Sequence, residues 1–259
     1  MPGTVTLTTD FGTRDSYVAQ LKGVLLAGCA DVRIHDLTHG IAPHDVVEGA
    51  LFLAGAVPAF PPGTVHLAVV DPGVGGERRR IAVEVAGQRV VCPDNGLLTL
   101  LARSHPIDAV HELTNPRFRR EPASATFEGR DVFAPAAAHL ACGGSLADLG
   151  PSVAEPMQLA LPEPSTGEHG VRGEVVHVDR FGNAITNIPA SMLPEAGEAR
   201  VRAAGRDLAL LRTYADAEAG DALALIGSTG YVEVAVREGS AAEALGLGRG
   251  DAVRVVTAG

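Results

Sequence analysis

Two acidic residues leave apolar runs directly into glycine turns: Asp10 in TTDFGT and Asp71 in VVDPGVGGERRR. A carboxylate at such an exit can accept a sugar hydroxyl or hold a water, and the adjoining glycines let the backbone approach a ligand closely. An Asx turn or a helix cap is the bland alternative for either residue taken singly. Arg78 follows Asp71 by seven positions, a spacing that permits a carboxylate–guanidinium pair orienting a small polar reactant. A plain structural ion pair explains the same spacing.

The glycines of the 71–78 segment admit two further readings. A phosphate cradle is one, although neither GxGxxG nor GxxxxGK is present. The other is the D-x-G-x-G-G loop that opens the S-adenosylmethionine (SAM) site of Rossmann-like methyltransferases, for which Pro72 and the Arg78-Arg79-Arg80 run are atypical. His35, His39 and His44, with Asp36 and Asp45, suggest zinc, but the i, i+4 spacing serves zinc when both histidines lie on one helix, whereas His35 lies in a strand pattern and Gly40 and Pro43 break the run. A polar rim at strand ends is the expectation there, and no metal. Cys92 and Cys142 lie in apolar stretches and read as buried, inert thiols, and GxSxG is absent. Lys22, the only lysine, falls inside a helical pattern, which disfavours Schiff-base and P-loop chemistry. Aromatic residues are scarce at 4%, so the placing of Phe11, Phe127, Phe181 and Tyr231 in segments rich in Gly, Asp and Asn is informative. Rings there can stack on a nucleobase or plug the core beneath a turn. Asp179–Asn183 alone would pass as a hairpin turn.

The elements that must hold these residues follow from periodicity. Strands are expected at Val5–Thr9, Val32–Leu37, Val65–Val70, Ile81–Val85, Arg89–Cys92 and Ala109–Leu113. Helices are expected at Ser16–Gly28, from the capping-box spacing of Asp45 and Glu48 to about Ala56, at Leu97–Arg103 and at Asp131–Cys142. This alternation predicts an N-terminal Rossmann-like α/β domain with a mainly parallel sheet over residues 1–160. Residues 161–172, rich in Pro, Gly and polar side chains, read as a linker. Short strands separated by Gly, Asn, Asp and Ser turns then predict a small C-terminal β-barrel domain over 173–259.

Composition narrows the partners. With 259 residues and 46% hydrophobic content the chain can bury a proper core. A formal charge of -10 disfavours nucleic acid and anionic membrane surfaces and suits a cationic or zwitterionic small molecule. Three scattered cysteines and no visible leader in MPGTVTLTTD fit a reducing cytoplasm and exclude a disulfide scaffold. No run approaches the roughly 18 apolar residues of a membrane span.

Taken in order, TTDFG, VVDPGVGGERR, PDNGLLT, TFEGRDVFAPAAA, DRFGNAITN and GSTGYVEVAV resemble the SAM hydroxide adenosyltransferase family, relatives of the SAM-dependent fluorinase and chlorinase, along nearly the whole chain. The resemblance implies hydrolysis of SAM to adenosine and L-methionine without a cofactor, in a homotrimer whose sites lie at subunit interfaces. It implies that Asp71 and Arg78 orient the water and that Asp10 accepts the ribose hydroxyls. Asp179 and Ser228 would engage the methionine end, and Phe181 and Asn183 the adenine. Phe11, Asn95, Phe127 and Tyr231 complete the expected substrate-binding set. Glu128 stands where the family pattern has histidine. There it could take a proton from water, with one carboxylate of the Asp71–Glu128 pair expected to hold a raised pKa, or it could pair with an arginine. A SAM- or adenosine-binding module with weak or lost catalysis, a SAM-dependent halogenase or methyltransferase, and a metal-dependent hydrolase are the rival readings.

Overall fold

The computed structural model describes residues 3–168, 170–193 and 199–257. The chain divides into two compact units, Met1–Leu159 and Ala160–Gly259.

The first unit carries strands β1 (Thr4–Thr9), β2 (Arg33–Thr38), β3 (Val65–Val69), β4 (Arg80–Val85), β5 (Gln88–Pro93) and β6 (Ile107–Glu112). They form one sheet in the order β2-β1-β3-β5-β4-β6. Every residue of β3 is buried, because its alternate side chains face two separate cores. Val65, Leu67 and Val69 pack in one with Leu21, Leu25 and Phe133, while Ala68 and Val70 pack in the other with Leu53, Leu97 and Leu101. Helices α1 (Tyr17–Gly28) and α4 (Ala134–Ala141) supply the first core; α2 (Val46–Ala56) and α3 (Thr99–Ser104) supply the second, with the short α5 (Leu146–Leu149) closing the unit. The expected start of α2 is present: the Asp45 carboxylate accepts from Glu48 N at 3.0 Å, while Glu48 caps Ala42 N at 2.8 Å.

The sheet is mixed, not mainly parallel. The β1–β2, β1–β3 and β3–β5 pairs are parallel, but β4 runs antiparallel to both β5 and β6. The cause is local. Ala86 and Gly87, at φ 53° and 70°, are the whole connection between β4 and β5. Two residues can close a hairpin, whereas a parallel crossover needs a dozen or more. The helix expected from Asp131 also begins differently, with a π-helical turn over Gly129–Phe133 that runs into α4. Such turns recur at functional sites.

Two cysteines depart from expectation. Cys29 caps the end of α1 and Cys142 the end of α4, and they form a disulfide across 113 residues with Cα atoms 5.7 Å apart. Cys142 is exposed rather than buried. Cys92 is the free, fully buried thiol expected, its pKa raised by burial. A loop this long contributes about 4–5 kcal/mol by chain entropy. Reduction, or Cys142→Ser, is therefore expected to lower the melting temperature by roughly 10 °C. Thiol titration of the unfolded, unreduced chain should find one free cysteine; three would overturn the pairing.

The second unit contains β7 (Ser165–Gly167), β8 (Gly170–Val178), β9 (Ala184–Pro189), β10 (Ala199–Ala203), β11 (Arg206–Ala209), β12 (Ala222–Ile226), β13 (Tyr231–Val236) and β14 (Ala252–Thr257), with one short helix, α6 (Ala241–Leu245). The order β11-β10-β14-β8-β9-β13-β12 is antiparallel throughout, and β7 pairs with β8. A parallel bridge between Leu210 and Ala224 brings the two ends together into a nearly closed barrel. Val171, Val175, Ile188, Val201, Val232 and Val253 fill it. Part of the stretch read as a linker is thus strand β7 and the first three residues of β8; His169, in the same stretch, lies outside the described residues.

Candidate functional site

In the first unit β1 is followed in space by β2 on one side and by β3 on the other, so the chain reverses its direction of travel across the sheet at the β1–β3 pair. In open α/β sheets this reversal opens a crevice at the carboxyl ends of the strands. Thr9 pairs with Val69 there; Asp10 follows at once, and Asp71 after Val70. Because β4 runs the opposite way, it starts where its neighbours end, with Arg80 opposite Pro93. Antiparallel β4 is therefore what delivers Arg78 and Arg80 to the same edge.

The four charged side chains interlock. Arg78 Nε donates to Asp71 Oδ1 at 2.9 Å and Oδ2 at 3.0 Å, and its Nη2 donates to both Asp71 Oδ2 and Glu128 Oε2. Arg80 Nε donates to Glu128 Oε1 at 2.9 Å, and Arg80 Nη2 bonds the same oxygen. Glu128 stands directly before the π-helical turn, whose Phe133 ring lies 5.5 Å beneath the Arg78 guanidinium. Both carboxylates are buried, and the formal charges of the quartet cancel. Burial alone would push the Glu128 pKa up, but hydrogen bonds from Arg80 and Arg78 outweigh it and hold it below the usual value. The expectation that one carboxylate of the Asp71–Glu128 pair holds a raised pKa is thus corrected for Glu128: two guanidiniums keep it ionised and weaken it as a base. For Arg78, desolvation is likewise outweighed by Asp71 and Glu128, and its pKa is raised. One donor is left over: Arg78 Nη1 is buried and has no hydrogen-bond partner. Arg79, on the opposite face of the chain, bonds Asp94 at 2.6 Å.

Around this quartet, Asp10 Oδ2 accepts from His44 N at 2.9 Å. Phe11 and Phe127 meet edge to face at 5.9 Å, and Tyr17 completes the cluster at 5.9 Å and 5.2 Å. Tyr17 was not among the expected residues, although an aromatic just after the TTDFGT turn is a usable signal. Asn95 acts on backbone: its Nδ2 donates to Val70 O at 2.8 Å, tying the exit of β5 to that of β3.

The second unit gathers its own set. Asp179 Oδ1 accepts from Phe181 N at 2.8 Å and Asn183 N at 2.9 Å, and Oδ2 from Asn183 Nδ2 at 3.0 Å, forming the β8–β9 turn. This turn holds the Phe181 ring out, 77% exposed. Ser228 is exposed on the Gly227–Gly230 turn, and Tyr231 opens β13 opposite Pro189. Sequence reasoning missed Tyr214 and Glu233, which share a 2.5 Å hydrogen bond. Burial, with the charge of Asp179, raises the Glu233 pKa despite that bond, and burial beside Glu233 raises that of Tyr214.

The histidines expected at a polar rim split. His39 is buried, its Nδ1 2.8 Å from Thr9 Oγ1 and its Nε2 3.1 Å from Asp36, which also pairs with Lys22 at 2.6 Å. His35 and His44 are exposed. Among the described residues no group of three or more His, Cys, Asp or Glu is placed to hold a metal, and no helix is long and apolar enough to cross a membrane.

A mixed α/β unit with a carboxylate–guanidinium quartet at its switch point, continued by an antiparallel barrel, is the setting in which the comparisons fall. Residues 5–150 match the SAM hydroxide adenosyltransferase N-terminal domain and residues 173–254 the C-terminal domain, and the chain belongs to that family. It is 44% identical to the (R)-S-adenosyl-L-methionine hydrolase of Salinispora arenicola, over 98% of each chain. A fluorinase of an Actinoplanes species is 33% identical over 88% of each. The crystal structure of an uncharacterized conserved protein from Thermotoga maritima superposes with a TM-score of 0.92 at 34% identity, over 97% of this chain and 99% of that one.

Proposed function

We propose that the chain hydrolyses S-adenosyl-L-methionine, taken in the (R) form named for its relatives, to adenosine and L-methionine. The observation that carries this reading is the buried, unpartnered Arg78 Nη1, a donor on a guanidinium locked by two carboxylates at the switch point. A water bound there accepts from Arg78 and donates to Asp71. Its oxygen attacks C5′ of the ribose in line with the departing sulfur. The O–C5′ bond forms, the C5′–S bond breaks, and both electrons of the latter go to sulfur, leaving neutral methionine. The sulfonium is already a good leaving group, so holding the water in line is the main task, worth several kcal/mol. The water's proton passes to Asp71, which is held by one guanidinium where Glu128 is held by two. Glu128 neutralises and aims Arg78 and Arg80.

In the same proposal Asp10 accepts the ribose hydroxyls, and Phe11 and Phe127 wall the nucleoside. Asp179 and Ser228 take the methionine end, while Phe181, Asn183 and Tyr231 serve the adenine side. Asn95 acts indirectly, through the backbone of Val70. SAM hydrolysis in this scheme draws on no cofactor. A homotrimer belongs to the proposal as what the family resemblance implies, and so does a cytoplasmic setting; in that setting the Cys29–Cys142 disulfide has to persist against reducing thiols. The 44% identity to an (R)-S-adenosyl-L-methionine hydrolase, against 33% to a fluorinase, supports water over halide as the nucleophile.

The test is incubation of the purified protein with the separated (R) and (S) epimers of SAM, with and without chloride. Equal amounts of adenosine and methionine, formed faster from the (R) epimer and unaltered by chloride, are expected. S-Adenosylhomocysteine as product, 5′-chloro-5′-deoxyadenosine, or an intact substrate after a day would each sink the reading.

A further inference from the structure

On another part of the first unit, α1, α4 and the Pro116–Phe118 turn enclose an open cavity of about 710 Å³, within the range of small-molecule sites. Three arginines, Arg117, Arg120 and Arg130, line it together with Gln20, Phe118 and His139. Among the described residues no carboxylate lines it, an unusual composition in a chain of formal charge -10.

The arginines are held in place from behind. Asp131, 1% exposed, receives Arg130 Nε and Nη2 at 2.7 Å each, Arg120 Nη1 at 3.2 Å and Ser124 N at 2.9 Å. Arg130 Nη1 is fixed further by Gln20 Oε1 at 2.9 Å. One carboxylate thus faces two guanidiniums and neutralises only one. The Arg130 hydrogen bond, outweighing burial, holds Asp131 ionised, so this scaffold persists across neutral pH. Arg117 adds a further exposed positive charge, felt by Asp148 but not bonded to it. A flat wall completes the cavity: the Phe118 and His139 rings lie 4.0 Å apart and tilted by 34°, with His139 fixed by Asp148 at 3.0 Å.

We propose that this cavity binds a small phosphate-bearing anion, with Arg117 and Arg120 as its clamp, Arg130 as a fixed backing charge and the Phe118–His139 pair as a wall for any attached ring. Guanidinium forks match phosphate oxygens in pairs, and a multiply charged phosphate answers the surplus positive charge better than a single carboxylate does. The phosphate can come from inorganic oligophosphate or from a nucleotide.

Calorimetry without added divalent cation separates the two sources by titrating inorganic pyrophosphate and, in parallel, uridine diphosphate, whose base is unlike adenine. One-to-one binding that weakens with salt is expected. R117E/R120E should weaken it at least tenfold, and Asp71→Ala should leave it unchanged. Tighter binding of the nucleotide, lost in F118A, assigns the ring to the wall; equal binding assigns the site to the phosphates alone. Arg117 is exposed and bonds no carboxylate, so R117E alone should keep the wild-type melting temperature and serves as the second probe, whereas R120E also removes a partner of the buried Asp131 and its fold is checked by melting. Absence of binding at millimolar ligand, or binding equal in wild type and R117E/R120E, would overturn the proposal.

Discussion

Replacing Asp71 by alanine should cut adenosine release by about a thousandfold while changing KM for SAM by less than about threefold. The carboxylate binds Arg78 through two nitrogens and, in the proposed reaction, takes the water's proton. Loss of a positioned proton acceptor costs between 10² and 10⁴ in rate, and a thousandfold corresponds to about 4 kcal/mol of transition-state stabilisation. Substrate binding survives because the groups assigned to ribose and methionine remain. Asp71→Asn keeps the volume but not the charge, and leaves one oxygen in place of two to accept from Arg78. If the asparagine variant retained more than a tenth of wild-type turnover, the carboxylate's role as acceptor would be excluded.

Arg78→Met should be as damaging to turnover and, unlike the first change, strongly destabilising. It leaves Asp71 and Glu128 buried side by side, with only Arg80 to offset them. Breaking a buried ion pair by removing one partner costs about 3–5 kcal/mol. The pH dependence gives the sign. In the wild type the Glu128 pKa is depressed below its usual 4.5, so the stability it contributes is present above that value and is lost as pH falls through the folded value. In the variant two carboxylates share the single charge of Arg80, which pushes one pKa up, so the loss should be largest at neutral pH and shrink towards pH 5, where one of them takes a proton. Denaturant midpoints at pH 5 and pH 7.5 measure this; an equal loss at both would mean that Arg78 stabilises by packing on Phe133 and not by charge.

Much of the edge of the first sheet could be read directly. The glycine turns after Asp10 and Asp71 marked strand exits, and the spacing to Arg78 allowed the pair that the structure contains. The reversal of β4 was also written locally, in Ala86–Gly87, but the surrounding βα alternation outweighed a two-residue signal. With β4 taken as parallel, Arg78-Arg79-Arg80 looked like a charge run. On entry to β4 the side chains alternate in partner, Arg78 and Arg80 sharing Glu128 while Arg79 between them turns to Asp94. Glu128 was recognised, but its basicity depends on Arg80, 48 positions away, a partner that local spacing cannot reveal. The same holds for Cys29 and Cys142, and for Tyr214 and Glu233, pairs created by tertiary folding alone.

The hairpin at Ala86–Gly87 has a reach beyond its own two residues. Along β4 the reactive edge is about 20 Å from that turn. Lengthening the turn by a single amino acid would slide the strand one step against β5 and trade the inward pair of guanidiniums for the middle one, a swap no side-chain substitution in the crevice could repair. Selection on chemistry would then extend to the opposite rim of the sheet, to a place that never meets a substrate.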